Sequence, residues 1–110
     1  MSLHTSLANG RWQELSFFDQ MGNIGSEVGR MRKRQSTDIL ESQKALERAL
    51  ELIDLTRADP RWHNFPRLKE LCRLRETLLD AWLAEPGNAS ELNGLDNYLL
   101  QFALAARLQK

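Results

Sequence analysis

Residues 16–35 read SFFDQMGNIGSEVGRMRKRQ. Phe17, Met21, Ile24, Val28 and Met31 follow one another at steps of four, three, four and three, the spacing that stacks side chains on one stripe of an α-helix. Ser16 and Asp19 stand three apart at its start, as in a capping box. A helix with one such stripe must bury it against other elements, and strand-like alternation is absent elsewhere in the chain, so the fold class is all-α. Gly22, Gly25 and Gly29 share an adjoining strip. Each costs up to about 1 kcal/mol of helix propensity relative to Ala, which leaves two readings: another helix backbone comes close there, or a ligand groove does.

Three further helices follow. Ser36, Thr37 and Asp38 supply caps for a segment running to about Arg57, where Ala58-Asp59-Pro60 forms a turn. Its inward face reads Ile39, Ser42, Ala45, Leu46, Ala49, Leu50, Leu52 and Ile53. Pro66 suits the first position of a third helix, with Leu68, Leu71, Cys72, Leu78, Leu79 and Trp82 on one face and Pro86-Gly87 as its end. Asn88 and Glu91 repeat the capping spacing before a fourth, whose seam is Leu92, Leu95, Leu99, Phe102 and Ala106. Short connections between such helices predict an antiparallel up-down-up-down four-helix bundle over residues 11–110. Residues 1–10 carry no periodicity and read as a disordered leader, in part an expression remnant.

Composition narrows the functional classes. The 110 residues hold 15 Lys and Arg against 15 Asp and Glu, so no global field draws in nucleic acid or an anionic membrane. A single cysteine, Cys72, cannot close an intramolecular disulfide, and no apolar run is long enough to span a bilayer. The expectation is a cytoplasmic protein that does not enter a membrane. His4 and His63 form no set with metal-ligand spacing, and no nucleophile and base can be paired, so neither a cofactor nor a metal is expected and no catalytic residue is assigned.

Four groups of residues remain as candidate sites. Arg75 falls within the third helix's apolar face as the sequence presents it, which calls for a carboxylate partner, and Glu27 on the flank of the first stripe is the preferred one. That pair reads as a buried charge fixing helix register, a snorkelling side chain, or a ligand site. Arg30, Arg32, Lys33 and Arg34 crowd the end of the first helix, where cations complement the helix dipole or could contact RNA phosphates. Leu100, Leu104 and Leu108 recur every four residues outside the fourth seam and read as a subunit interface, favouring a homodimer. The fourth group depends on a resemblance.

The segments Trp12-Gln13-Glu14-Leu15-Ser16, Asn23-Ile24-Gly25-Ser26-Glu27-Val28 and Glu47-Arg48-Ala49-Leu50-Glu51-Leu52-Ile53-Asp54-Leu55-Thr56 resemble those of a group of small uncharacterised helical proteins of bacteria and archaea. The likeness spans most of residues 12–80 and implies a family rather than an activity. More remotely, the chain is similar to HEPN domains, four-helix bundles often encoded beside small nucleotidyltransferases, some of them ribonucleases with an Arg and a His four to six residues apart. Arg57 and His63 match that spacing. The expected function is a non-enzymatic binding or assembly module that self-associates and offers a groove to a protein partner. The alternative is a HEPN-like RNA-directed protein or a partner of a nucleotidyltransferase.

Overall fold

Three of the helices begin where a short polar side chain, Ser16, Asp38 or Asn64, takes up an otherwise unmet backbone N–H. The computed structural model describes residues 10–83 and 89–108, which form α1 (Phe17–Arg34), α2 (Ile39–Arg57), α3 (Phe65–Leu83) and α4 (Ala89–Leu108), with 3-10 turns at Trp12–Glu14 and Pro60–Trp62. Ser16 Oγ accepts from the Asp19 N–H at 3.0 Å and donates to the Asp19 carboxylate at 3.0 Å, a variant of the expected capping box. Asp38 caps α2 by accepting from the Glu41 N–H at 3.2 Å. At α3 the Asn64 carboxamide accepts from the Arg67 N–H at 3.1 Å, which makes Pro66 the second helical residue instead of the first. Residues 1–9, the Pro86-Gly87 end of α3 and the Asn88 cap of α4 lie outside the described residues.

All five residues of the α1 stripe are buried. In α2, Ser42, Ala45, Leu46, Ala49, Leu52 and Ile53 are buried as expected, while Ile39 in the first turn is 55% exposed. α3 departs further from its sequence reading. Its buried positions are Leu71, Leu74, Leu78 and Ala81, Leu68, Leu79 and Trp82 are half-buried and Cys72 is exposed. The true inward face is therefore turned by roughly a quarter of a revolution, at about 100° per residue, from the one marked by the apolar side chains alone. In α4, Leu95, Leu99 and Ala106 are buried and Phe102 is half-buried.

α1 occupies the centre, packed against α2 on one side and α4 on the other, and α3 packs against α2 and α4. The antiparallel sense is visible at both α1 interfaces. Along α2, Ser42 Oγ donates to the Met31 carbonyl at 2.7 Å and Arg48 reaches Glu27 further back on α1. Along α4, Ala103 stands opposite Gly22, Leu99 opposite Gly25 and Asp96 opposite Gly29.

Candidate interaction surface

Two regions hold most of the polar side chains that the fold brings together from distant parts of the sequence. The first closes one end of the core. Trp12 Nε1–H donates to Thr56 Oγ1 at 2.9 Å, and Gln20 Nε2–H donates to the Trp12 carbonyl at 2.9 Å and to Asp59 at 3.2 Å. The Gln20 carbonyl oxygen in turn accepts from Trp62 Nε1–H at 2.7 Å. Asp59, only 1% exposed, accepts from the Arg61 backbone N–H at 3.0 Å and from its guanidinium at 2.7 Å. The Arg61 guanidinium also donates to the Leu15 carbonyl at 2.7 Å and lies over the Trp62 ring. Burial alone would raise the Asp59 carboxyl, but the hydrogen bonds from Arg61 and Gln20 outweigh it and hold it below its ordinary value. The cluster is closed on itself, and its effect is to tie the Trp12 turn to the α2–α3 connection.

The second region runs along α1 and α4. A Cβ added at Gly25 would stand 3.0 Å from Leu99 Cβ, and one at Gly22 would stand 3.2 Å from the Ala103 backbone. Close approach of another helix, one of the two readings of the glycine strip, is observed, since α4 comes so near that larger side chains would collide, and the same three glycines also line a groove. Beside this contact the two helices leave a groove of about 520 Å³. Gly22, Ser26 and Ala103 continue it into a smaller trough that reaches Phe18, Asp19 and Arg107.

The run Arg30, Arg32, Lys33 and Arg34 lines the other end of that groove, facing one carboxylate among the described lining residues, Asp96. Arg32 Nε–H donates to Asp96 at 2.7 Å across the helices, and Arg30 reaches Glu27 at 3.2 Å. Lys33 and Arg34 are exposed and have no carboxylate partner among the described residues. Asp96 carried no sequence signal, since its partner lies 64 residues away. On the α4 side the groove is bordered by Leu100, 53% exposed; Leu104 and Leu108 continue outward at 47% and 87%.

The expected pairing of Glu27 with Arg75 is not formed. Glu27 is buried but bonds Arg48 Nε–H at 2.6 Å, while Arg75 is half-exposed and donates to Asp54 at 3.1 Å. With the α3 stripe centred on Leu71, Leu74 and Leu78, Arg75 falls on the rim facing α2, where Asp54 meets it. Arg57 and His63 are close, but their functional atoms do not converge. The Arg57 guanidinium bonds Asp54 at 3.1 Å, and His63 Nε2 lies 3.0 Å from the Arg57 backbone carbonyl. Pro60 opens the 3-10 turn between them, so the two do not share a helix.

A second groove, between α3 and α4, has a volume of about 530 Å³ and is lined in part by Leu74, Leu95, Gly94 and Tyr98. The Tyr98 hydroxyl donates to Glu70 at 2.6 Å, and partial burial together with that carboxylate keeps it protonated well above its ordinary range. Among the described residues no cluster of His, Cys, Asp and Glu could hold a metal ion, and no helix is long and apolar enough to cross a membrane. Comparison with known proteins gives no matching family model, no matching curated protein and no matching solved structure.

Proposed function

We propose that the chain is a non-enzymatic helical module that self-associates through the outer face of α4 and binds a partner beside it. The observation that carries this reading is the exposure of Leu100, Leu104 and Leu108 at helical spacing on a helix whose other side already fills the core. Removing a leucine side chain fully from water is worth about 1.5–3 kcal/mol, and a two-fold contact uses each such residue twice. A homodimer seated on α4 would cover this stripe on both protomers at once.

Sedimentation equilibrium tests this directly. The wild-type chain should be dimeric at micromolar concentration, and Leu100→Glu with Leu104→Glu should make it monomeric while leaving helix content and melting nearly unchanged. A wild-type monomer at high micromolar concentration removes the self-association reading.

The RNA-directed alternative draws its support from the exposed cations at the end of α1, Lys33 and Arg34. The Arg57 and His63 side chains, engaged with Asp54 and with a backbone carbonyl, add nothing to it. Single-stranded RNA binding that falls steeply with salt would move this reading to the front.

A further inference from the structure

We infer that the groove between α1 and α4 seats an amphipathic helix of a partner protein whose acidic residues cluster at the end that meets Arg30, Lys33 and Arg34. The groove and its continuation follow α1 from Phe18 to Arg34, about 24 Å at 1.5 Å per residue. That is the length of a helix of about 16 residues laid into a trough between two antiparallel helices. Its wall supplies an exposed leucine, Leu100, for the apolar stripe of such a helix.

Charge sets the partner's chemistry and its direction. Four cations face one carboxylate at the basic end; Arg32 is held by Asp96 and Arg30 by Glu27, which leaves Lys33 and Arg34 with no carboxylate partner among the described residues. At the far end the described lining holds one acidic residue, Asp19, and one basic residue, Arg107. Among the described lining residues the excess of positive charge thus lies at one end, which orients a bound helix and rejects one with a basic terminus. No aromatic ring is among the described residues lining the basic groove, so it has no platform on which the bases of a single strand would stack. The inference deepens the module reading by naming the partner's chemistry, and it shares Leu100 with the proposed dimer contact.

The test uses the full chain and a display library of helical peptides of about 16 residues, each with a Leu/Ala stripe and with net charge varied from strongly acidic to strongly basic. Selected peptides are measured by fluorescence anisotropy against wild type, the double variant Lys33→Glu/Arg34→Glu, and Ser26→Trp, which fills the groove from an exposed position on α1. Circular dichroism establishes that each variant is folded, and sedimentation on the same samples reads self-association separately. The expected result is enrichment of peptides with Glu or Asp at one end, and affinity lowered by about tenfold or more in both variants. No binder, no charge bias, or affinity unmoved by the double reversal overturns the inference. Tighter binding of a single-stranded RNA of similar length, lost on the same reversal, overturns it in favour of nucleic acid. Peptide binding that persists in a chain shown to be monomeric supports the inference while removing only the self-association reading.

Discussion

The two polar regions of this bundle end in opposite states. Around Trp12, Gln20 and Asp59, the indole N–H, the carboxamide and the carboxylate all find partners inside the fold, and Arg61 is held by a carboxylate and a carbonyl. Along α1 and α4 the glycines draw the helices together, but Lys33, Arg34 and the α4 leucines are left facing outward. Polar groups that are mutually satisfied in a desolvated site specify one structure. Charges and leucines left on a surface without internal partners contribute little to folding and are available for binding.

Substitutions that strike the closed end should have the largest effect on stability. Trp12→Ala removes a 1% exposed indole and leaves Thr56 Oγ1 without the N–H it accepts from; loss of about 3–5 kcal/mol in urea unfolding is expected. A cost below about 1 kcal/mol would mean that the Trp12 turn is not fastened to the core, and the contrast between the two regions would break.

Asp59→Asn sharpens the same point through pH. Because the folded-state carboxyl titrates below its ordinary value, its stabilising contribution is fully present above the unfolded value of about 3.9 and is lost as pH falls through the folded one. Wild type should therefore lose stability more steeply than the variant on acidification below about pH 4, with the variant less stable by about 1–3 kcal/mol near neutrality. Parallel acid limbs in the two proteins would contradict this.

The smallest expected effects come from two glycines. At Gly25 an added methyl meets Leu99 Cβ at 3.0 Å, whereas at Gly94 it meets nothing within 4 Å. Gly25→Ala should lower the melting temperature, since overpacking costs about 1–3 kcal/mol against about 1 kcal/mol of regained helix propensity. Gly94→Ala should raise it, by the propensity alone, about 0.5–1 kcal/mol. Equal responses would mean that α4 does not lie as close to α1 as the geometry requires.

Much of this was legible beforehand, and unevenly so. The α1 stripe is legible in full because all five of its apolar residues face the core and, apart from Phe18, the flanking positions are polar or Gly. The third helix misled because its apolar residues outnumber its buried ones: Cys72 and the half-buried Leu68, Leu79 and Trp82 drew the stripe toward Arg75. Glu27 lies at the edge of the core, but its partner Arg48 is on the neighbouring helix, where no local pattern distinguishes one arginine from another. The exposed α4 leucines were visible from spacing alone, because one helix cannot bury two stripes in one small core.

By itself, then, the sequence determined the number of helices, most of their ends and the inward face of α1, α2 and most of α4, since periodicity and caps act within a few residues along the chain. The tertiary structure alone decided which charges are paired, how α3 is turned, and that Trp12, Gln20, Thr56 and Asp59 form one network. Apart from the Gln20–Trp12 bond, those outcomes depend on distances between residues 21 to 64 positions apart, and only the packing of the helices sets such distances.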